Sequence, residues 1–410
     1  MRARDTVTRV LEPCNAFVHA TRLRALDDAA RAAFAGQALT LTMLALGTQR
    51  ATTLRHRVKC IDRLLGNPHL DSERFEMYRV LAQCWLTDLP QLLIVVDWSS
   101  ITADLKWHWL RASVVVEGRS VTLYEEVHPQ RLLANYQVHK RFVKRLAQLL
   151  PPCRQAPIIL TDAGFRTTWF KLIAQQGWHW IGRIRNREFV CPQIKGAWGP
   201  AKALYAGASD TAEDLGLYQS ARSNPIDCRL VRYKAKLKGR KHRYASGKEK
   251  RSSQTKKLSA RQSEPWLLSC SPQLDYLGAR SIVKLYAQRM GIEQSFRDTK
   301  SLALGMGMGM GMGLRQSHTH GAQRLQALLL VAHIAQFALR LVGLCAKAQQ
   351  LHLQLMSTNR TSRAEISVMT LARRVIDNPK LLASLSNPWA GIKELRRQAY
   401  DAIALQLNTA

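Results

Sequence analysis

The sequence predicts an α/β fold in which a sheet core, interrupted by an insertion, lies between helical segments at both ends of the chain. Between Gln91 and about Arg185, apolar runs and helical periodicity follow the order strand, strand, strand, helix, strand, helix, strand. Residues 1–88 are rich in Ala and Leu, and residues 347–410 return to helical, mixed-charge sequence. The 410 residues are enough for two to four domains. We place segment boundaries at 1–88, 89–185, 186–272, 273–346 and 347–410.

Individual elements follow from local patterns. Ala25 to Leu46 contains few β-branched residues and is expected to be helical. Ser113 to Val116 and Ser120 to Tyr124 flank a turn containing glycine, which indicates a β-hairpin. Gln137 to Leu150 has helical spacing and ends at two prolines, and Trp178 to Ile184 gives a further strand.

Two aspartates follow hydrophobic runs. The aliphatic stretch Leu92 to Val96 stops at Asp97, and Pro157 to Leu160 leads through one threonine to Asp162. Both stretches are predicted to be buried strands with a carboxylate at the C-terminal edge. An aspartate in this position is more often a turn former or a helix cap than a catalytic residue.

The segment from Tyr286 to Lys300 carries an aromatic hydroxyl, cations and a carboxylate at regular intervals. Tyr286, Glu293 and Lys300 are seven residues apart, so on a continuous helix they would lie within roughly 20° of one another per step. Arg289 precedes Glu293 by four residues and would join the same face. The simplest alternative is a solvated stripe with an Arg289–Glu293 ion pair.

Three carboxylates from two strands and a helix would suit a pair of divalent metal ions. Mg²⁺ prefers oxygen ligands, and two such ions about 4 Å apart can assist an in-line phosphoryl displacement. The candidate ligands are Asp97, Asp162 and Glu293. Tyr286, Arg289 and Lys300 would then be hydrogen-bond donors to phosphate groups. The distance in sequence from Asp162 to Glu293 is too long for a minimal core, which predicts the insertion.

The charge balance indicates a polyanionic partner. There are 61 Lys and Arg against 29 Asp and Glu, a formal charge of +32, and DNA is the leading candidate. Thirteen Lys and Arg lie between Arg229 and Lys257, in either a DNA-binding arm or a self-repelling loop. A membrane surface is less favoured because the basic residues are spread through globular sequence. The apolar segment Leu325 to Ala346 contains polar residues at near-helical spacing, so we expect a buried helix. With no secretory signal visible, the expected compartment is the cytoplasm.

These residues resemble a known family. The order Asp97, Asp162, Glu293, with Tyr286, Arg289 and Lys300 spaced around the glutamate, resembles the Asp-Asp-Glu (DDE) transposases of bacterial insertion sequences that carry the Tyr-Arg-Glu-Lys signature. The similarity is greatest to the cut-and-paste transposase that flanks the tetracycline-resistance transposon. Further matching segments are Ile61-Asp62-Arg63-Leu64-Leu65-Gly66-Asn67, Val96-Asp97-Trp98-Ser99, Leu110-Arg111-Ala112-Ser113, Gly118-Arg119-Ser120-Val121-Thr122-Leu123-Tyr124, Asp162-Ala163-Gly164-Phe165 and Glu264-Pro265-Trp266.

The resemblance implies a ribonuclease H-like mixed sheet core interrupted by a β-rich insertion. It also implies DNA cleavage and joining with two Mg²⁺ ions, for which Mn²⁺ is an expected substitute. It implies binding of double-stranded DNA, both the terminal inverted repeats and the target. The protein would act as a dimer in a synaptic complex, and it would be located in the bacterial cytoplasm in association with the nucleoid. The N-terminal region would recognise the repeats and residues 347–410 would help assemble the complex. Trp266 would stack on a flipped base, unless it is a core residue. The candidate phosphate contacts are Arg55, Arg57, Lys59 and Arg63. For each of them, a position on a solvated helix face is an equally good interpretation.

One segment departs from the family. Gly305 to Gly313 alternates Gly and Met, which opposes a stable helix or strand, and we interpret it as an expanded loop that could misplace the preceding helix. Two alternative functions therefore remain open: a metal-dependent nuclease of the same fold, and a catalytically impaired DNA-binding relic or repressor.

Overall fold

The computed structural model describes residues 5–185, 188–194, 196–236, 264–301, 311–355 and 366–407. The chain forms two compact units. Unit 1 comprises Met1–Gln155 and Met290–Ala402, and unit 2 comprises Ala156–Arg289 and Ile403–Ala410. The mixed α/β character agrees with the predicted fold class. The five-segment division made from the sequence remains a prediction.

Unit 1 begins with helices whose N-termini are capped by side chains. Thr40, Thr53 and Asn67 each accept a hydrogen bond from a backbone N–H in the first turn of the following helix. Pro68 occupies the first position of its helix, where a missing N–H costs nothing. The helices are α1 Asp5–Leu11, α2 Ala20–Phe34, α3 Leu41–Gly47, α4 Leu54–Leu65 and α5 Pro68–Leu86.

The sheet of unit 1 is an antiparallel meander. Its strands are β1 Leu93–Ser100, β2 Trp107–Val116 and β3 Arg119–Pro129, in the order β3-β2-β1, and α6 Tyr136–Leu149 follows. The hairpin predicted between β2 and β3 is present, with Gly118 at φ +66° in its turn. Both strands are longer than predicted, because β2 and β3 are buried along nearly their whole length.

Unit 2 contains one parallel strand pair and an antiparallel extension. β4 Ile158–Thr161 pairs in parallel with β5 His179–Ile184, and α7 Thr167–Gln175 connects them. The order of strands is β4-β5-β10-β9-β8-β6-β7. The remaining elements are β6 Phe189–Pro192, β7 Gly199–Pro200, β8 Glu213–Ser220, β9 Ile226–Tyr233, β10 Trp266–Cys270 and α8 Ala279–Ala287.

The predicted basic, β-rich insertion is partly described. Strands β6 to β9 lie in it, whereas residues 237–263, with most of the basic run, lie outside the described residues. Two cations at the start of that run are structural. Arg229 pairs with Asp214 at 2.6 Å and is 7% exposed, and Arg232 pairs with Glu213 at 2.6 Å. The prediction of a DNA-binding arm therefore rests on the later part of the run.

The second part of unit 1 covers its sheet with helices. α9 Met290–Lys300 packs against β1, β2 and β3. α10 Ala322–Ala348 is long and apolar enough to cross a membrane by length and composition, but 94% of its most apolar window is buried inside the structure, as the sequence predicted. The C-terminal helices are α11 Val368–Asp377, α12 Pro379–Ser384 and α13 Gly391–Leu407.

Long-range contacts join the two ends of unit 1. Arg373 on α11 donates hydrogen bonds to the carbonyl oxygens of Phe34 and of Ala33, the latter at 2.9 Å, at the C-terminus of α2. Because the last carbonyls of a helix have no N–H partner inside it, the guanidinium helps to cap α2, together with the N–H of Gly36, which donates to the carbonyl of Ala33 at 3.1 Å. Arg396 on α13 likewise donates to the carbonyl of Trp85 at 3.0 Å.

The described end of the Gly-Met run is anchored to unit 1. Residues 305–310 lie outside the described residues, but Met312 is 2% exposed. Its N–H donates to the carbonyl of Asp298 on α9 at 3.0 Å, and its own carbonyl accepts from Leu39 at 2.9 Å. Gly313 donates to the carbonyl of Ser301 at 3.1 Å. The described end of the run, Met312 and Gly313, is therefore held at the end of α9.

Candidate active site

Asp97 lies on β1, where it is 9% exposed. The sequence predicted that the strand stops at Asp97. In the structure it continues, because the three residues after Asp97 extend the ladder with β2. Asp97 is opposite Arg111 in that ladder. Its Oδ1 accepts a hydrogen bond from the backbone N–H of Trp98 at 2.8 Å, which fixes the carboxylate relative to the strand. The burial pattern changes after Asp97, from buried to half-buried side chains.

The indole of Trp98 is itself held in place by a histidine on α6. Its Nε1 donates to Nε2 of His139 on α6 at 3.0 Å, which assigns the hydrogen of that imidazole to Nδ1. Burial lowers the pKa of His139 to about 4, so the imidazole remains a neutral acceptor near neutral pH. Sequence patterns give no signal for this contact, because His139 is one polar residue on an otherwise ordinary amphipathic helix.

The predicted signature helix is two helices. α8 ends at Ala287, and the N–H groups of Gln288 and Arg289 bond back to Leu285 and Tyr286 in a tightened last turn. α9 then begins at Met290. Tyr286 and Arg289 therefore do not share a continuous helical face with Glu293, and that interpretation of the seven-residue spacing was wrong.

Glycine accounts for the position of the second helix. A Cβ on Gly291 would lie 2.7 Å from the carbonyl oxygen of Arg119, so only glycine allows the first turn of α9 to approach β3 this closely. Glycine is also a poor helix former, which favours a break nearby.

Glu293 and Lys300 remain on one helix, α9, at opposite ends of it. Glu293 is half-buried in the first turn, and Lys300 is 8% exposed in the last. The Nζ of Lys300 donates to Oγ of Ser99 on β1 at 2.7 Å and lies 5.6 Å from the ring centroids of both Trp109 and Phe296. The predicted phosphate donor is therefore held beside the strand that carries Asp97.

The environment of Lys300 lowers its affinity for a proton. Burial brings its pKa to about 8, the cations Arg315 and Arg111 add to this shift, and the carboxylate of Asp97 opposes it. Ser99 is a site residue that the sequence did not identify. The available signals were its place two residues after Asp97 and its inclusion in the matching segment Val96-Asp97-Trp98-Ser99.

In unit 2, Asp162 directly follows β4, as predicted, and is half-buried. Its Oδ1 accepts from the N–H of Gly164 at 2.8 Å, and its carbonyl accepts from Phe165 at 3.3 Å. This is a tight turn stabilised by the aspartate side chain. A Cβ on Gly164 would lie 2.9 Å from that same Oδ1, which explains the glycine.

Tyr286 and Trp266 form an aromatic pair in unit 2. Their ring centroids are 5.1 Å apart at 77°, an edge-to-face contact, and Arg289 lies 6.0 Å from the Tyr286 ring. Burial raises the pKa of Tyr286, and the carboxylate of Asp162 acts in the same direction while Arg289 and Arg183 oppose it. The hydroxyl therefore stays protonated and able to donate. Unit 2 thus brings Asp162, Tyr286, Arg289 and Trp266 into one neighbourhood.

Trp266 is the first residue of β10 and is half-buried. Part of the indole packs on Tyr286 and part stays accessible, and stacking on a flipped base remains a prediction. Beside it, Glu264 accepts from Nη2 of Arg183 at 2.9 Å and from the hydroxyl of Tyr205 at 3.2 Å. Glu264 lies in the matching segment Glu264-Pro265-Trp266, but the sequence did not single out Arg183 or Tyr205.

The four basic residues predicted on α4 are not equivalent. Arg55, Lys59 and Arg63 are exposed and, at four-residue spacing, share one face of the helix. Arg57 is half-buried and its Nη1 donates to the backbone carbonyl of Thr48 at 2.9 Å. Arg57 therefore holds the segment before α4, which leaves three side chains as the candidate DNA-binding face.

The residues that could hold divalent metal ions are the three carboxylates. Asp97, Asp162 and Glu293 supply hard oxygen donors, the type that Mg²⁺ prefers, and the two aspartates are held in place by backbone N–H groups. Among the described residues, no three or more His, Cys, Asp or Glu side chains are grouped so that they could hold a metal ion. The chemistry of these oxygen donors fits the ions.

Comparison with known proteins identifies the family. A family model described as the transposase DDE domain matches residues 88–308, more than half of the chain. The chain belongs to this family of DDE-type transposases. No curated protein sequence matches it. A solved structure, the cryo-EM structure of the piggyBac transposase synaptic complex with hairpin DNA, is similar with 12% sequence identity and a TM-score of 0.40, over 93% of this chain and 76% of that one.

Proposed function

We propose that this chain is the cut-and-paste transposase of a bacterial insertion sequence, similar to the one that flanks the tetracycline-resistance transposon. The observation that carries the proposal is that the matched transposase region, 88–308, contains Asp97, Asp162 and Glu293 in the order of the family's acidic triad. The surrounding Tyr-Arg-Glu-Lys signature supports the assignment to this group. The antiparallel meander, followed by a helix and a parallel strand pair, supports a ribonuclease H-like core.

Asp97, Asp162 and Glu293 would hold two Mg²⁺ ions, with Mn²⁺ as a substitute. When bound, such ions lower the pKa of a coordinated water and neutralise charge on a phosphoryl group. The protein's own contribution is to keep the carboxylates oriented. Backbone N–H groups hold one oxygen of each aspartate, so binding of a cation needs little reorganisation of those two residues.

The other signature residues would act on the DNA backbone. The ammonium of Lys300 is already desolvated and fixed by one neutral hydroxyl, so a phosphate oxygen offers it a stronger partner than Ser99 does. Arg289 can bind a phosphate with two N–H groups, and the protonated hydroxyl of Tyr286 can donate to a third oxygen. The accessible part of Trp266 would stack on a base flipped out of the duplex.

The reaction sequence consists of phosphoryl transfers at one site. Water attacks the phosphodiester at the end of the element and releases a 3′ hydroxyl. That hydroxyl attacks the opposite strand to form a hairpin, a second water reopens the hairpin, and the freed 3′ hydroxyl attacks target DNA. Each step breaks one P–O bond and forms another, so no covalent bond to a side chain is required.

Double-stranded DNA, at the terminal inverted repeats and at the target, is the proposed partner. The charge of +32 supplies the electrostatic attraction, and Arg55, Lys59 and Arg63 supply a compact set of phosphate contacts. Each contact to a phosphate is worth a slope of about −0.9 in log K against log salt. A dimer in the synaptic complex and a cytoplasmic, nucleoid-associated location complete the proposal.

The test uses purified full-length protein and a plasmid carrying the element's own flanking repeats, with and without Mg²⁺. We expect Glu293→Gln to reduce end cleavage by more than about a hundredfold. Loss of a residue that only hydrogen-bonds to a metal ligand costs about 10–100-fold, and Glu293 is a proposed ligand itself. End binding should remain measurable by gel shift. Glu12→Gln, at an exposed position, is the matched control and should cleave normally.

Cleavage that persists in Glu293→Gln would overturn the assignment. Cleavage by the wild type without joined products would indicate a nuclease. Specific binding to the repeats with no cleavage under any metal condition would indicate a relic or repressor.

A further inference from the structure

A second cationic site lies at the closed end of the β2–β3 hairpin in unit 1. A cavity of about 440 Å³ is bounded there by Arg119, by Arg340 and Lys347 from α10, and by His352. It also reaches Ser367 and the two residues that follow it at the start of α11. A volume of this size lies within the range of small-ligand sites.

The charges around the cavity do not balance. Arg119 pairs with Asp298 at 3.0 Å and Lys347 pairs with Glu117 at 2.9 Å. Arg340 is the third cation. Burial lowers its pKa, and the carboxylate of Asp298, which already pairs with Arg119, acts against that lowering. The cavity itself is lined by three cations and one carboxylate, Glu117, while Asp298 and Glu394 interact with those cations from outside the lining.

Arg340 is also unusual in its surroundings. It is 6% exposed, and within the described ranges no hydrogen bond or ion pair from its guanidinium is found, although none of its nitrogens is among the fully buried side-chain atoms that lack a partner. A buried guanidinium usually has several partners, because five N–H groups removed from water are costly to leave unpaired. Nδ1 of His352 is likewise buried, with no described hydrogen-bond partner. Two wall residues thus have unused hydrogen-bonding capacity.

A helix terminus adds to the positive potential. α11 has ten residues and is capped by Ser367, which accepts from the N–H of Thr370 at 3.2 Å. The first N–H groups of an α-helix have no partner inside the helix, and they carry a partial positive charge. The residues that present these groups at the start of α11, Val368 and Met369, line the cavity.

The site is distinct from the acidic residues proposed for catalysis. In the β1–β2 ladder Asp97 is opposite Arg111, whereas Arg119 is opposite Val116 at the other end of β2. The five residue steps from Arg111 to Val116 on β2 span about 17 Å at the rise of an antiparallel strand. A ligand here would not touch the strand position of Asp97.

We propose that this cavity binds a phosphate group, held by the guanidinium of Arg340, the ammonium of Lys347 and the N-terminus of α11. Planar guanidinium groups bind phosphate through two parallel hydrogen bonds, and helix N-termini are common phosphate sites. Because Arg340 is almost fully buried, a free phosphate or a terminal phosphate on a DNA strand can reach it, whereas a phosphate in the middle of a duplex is shielded by its neighbours. The proposal is independent of which transposition steps the enzyme performs.

The test is equilibrium dialysis of the full-length protein against radiolabelled inorganic phosphate at constant ionic strength. Lys347→Met and Arg340→Met should each weaken phosphate binding by about tenfold or more, as expected for loss of a charged hydrogen bond. Arg131→Met removes an exposed cation from another part of unit 1 and should leave the affinity unchanged. This control separates the cavity from general attraction to a basic protein.

Lys347 is a partly exposed residue, with a side chain 30% accessible, so its variant carries the test if Arg340→Met does not fold. Equal phosphate affinity in the wild type, Lys347→Met and Arg131→Met would overturn the proposal. A competition arm identifies the source. Displacement by a 5′-phosphorylated dinucleotide, but not by its unphosphorylated form, assigns the site to a DNA end, and displacement by neither assigns it to free phosphate.

Discussion

The buried ion pair between Arg111 and Glu125 allows a quantitative test of how unit 1 is stabilised. Nε of Arg111 donates to Oε2 of Glu125 at 2.7 Å, and each side chain is 1% exposed. The other carboxylate oxygen accepts from the hydroxyl of Tyr78 at 3.0 Å. Arg111→Met would leave the Glu125 carboxylate buried without its counter-charge. Removing one member of such a pair costs about 3–5 kcal/mol, because the remaining charge has lost its solvent as well as its partner.

The assay is urea unfolding followed by circular dichroism. Adding Glu125→Gln to Arg111→Met should recover most of the loss, since Gln is neutral and still accepts from Tyr78. Arg397→Met is the control, because Arg397 pairs with Glu394 at 2.6 Å but its side chain is 57% exposed. That change should cost less than about 1 kcal/mol. If Arg111→Met destabilises the protein no more than Arg397→Met does, or if the double variant is less stable than Arg111→Met alone, the electrostatic account is refuted.

Three further outcomes are expected. The pKa of about 8 for Lys300 predicts that end cleavage declines as pH rises through that value and the ammonium loses its proton; a single-turnover rate that is constant to about pH 9.5 would contradict its role. Burial lowers the pKa of His333 to about 3, below the unfolded value of 6.5, so the unfolded state binds the extra proton and stability falls as pH drops below 6.5. The wild type should lose unfolding free energy between about pH 7 and 4.5, and His333→Leu should make this loss smaller by about 2–3 kcal/mol. An equal loss in both proteins would contradict the assignment to His333. Gly343→Ala should cost about 1–3 kcal/mol in urea because its Cβ would lie 2.2 Å from the carbonyl of Val368, whereas Gly199→Ala, with no atom within 4 Å, should be nearly neutral.

The order of strands and helices in the core was predictable because it depends on local pattern. The run ending at Asp97 is a continuous apolar stretch, and its strand was found with an error only at the C-terminal end. That error arose because Trp98 and the serines after it look like the start of a turn. Their backbone groups nevertheless pair with β2, and side-chain polarity does not report this pairing.

The details of the candidate site depend on tertiary contacts, which sequence spacing does not encode. Continuous helical periodicity from Tyr286 to Lys300 hid the tightened turn before Met290, although Gly291 gave a weak signal of a break. The contact of Lys300 with Ser99 joins residues 201 positions apart. The different surroundings of Arg57 and its neighbours on α4 likewise depend on a loop carbonyl that the helix pattern does not reveal.

The cap that Arg373 places on α2 has a consequence for protein synthesis. The carbonyl of Phe34 and its donor are 339 residues apart. At about 5–20 residues per second, the ribosome adds Arg373 roughly 17–70 s after Phe34. During that interval the C-terminal carbonyls of α2 must be satisfied by water or by other groups. The last turn of α2 can therefore acquire its guanidinium cap only when translation is nearly complete, although nearby backbone N–H groups such as that of Gly36 can bond to it earlier.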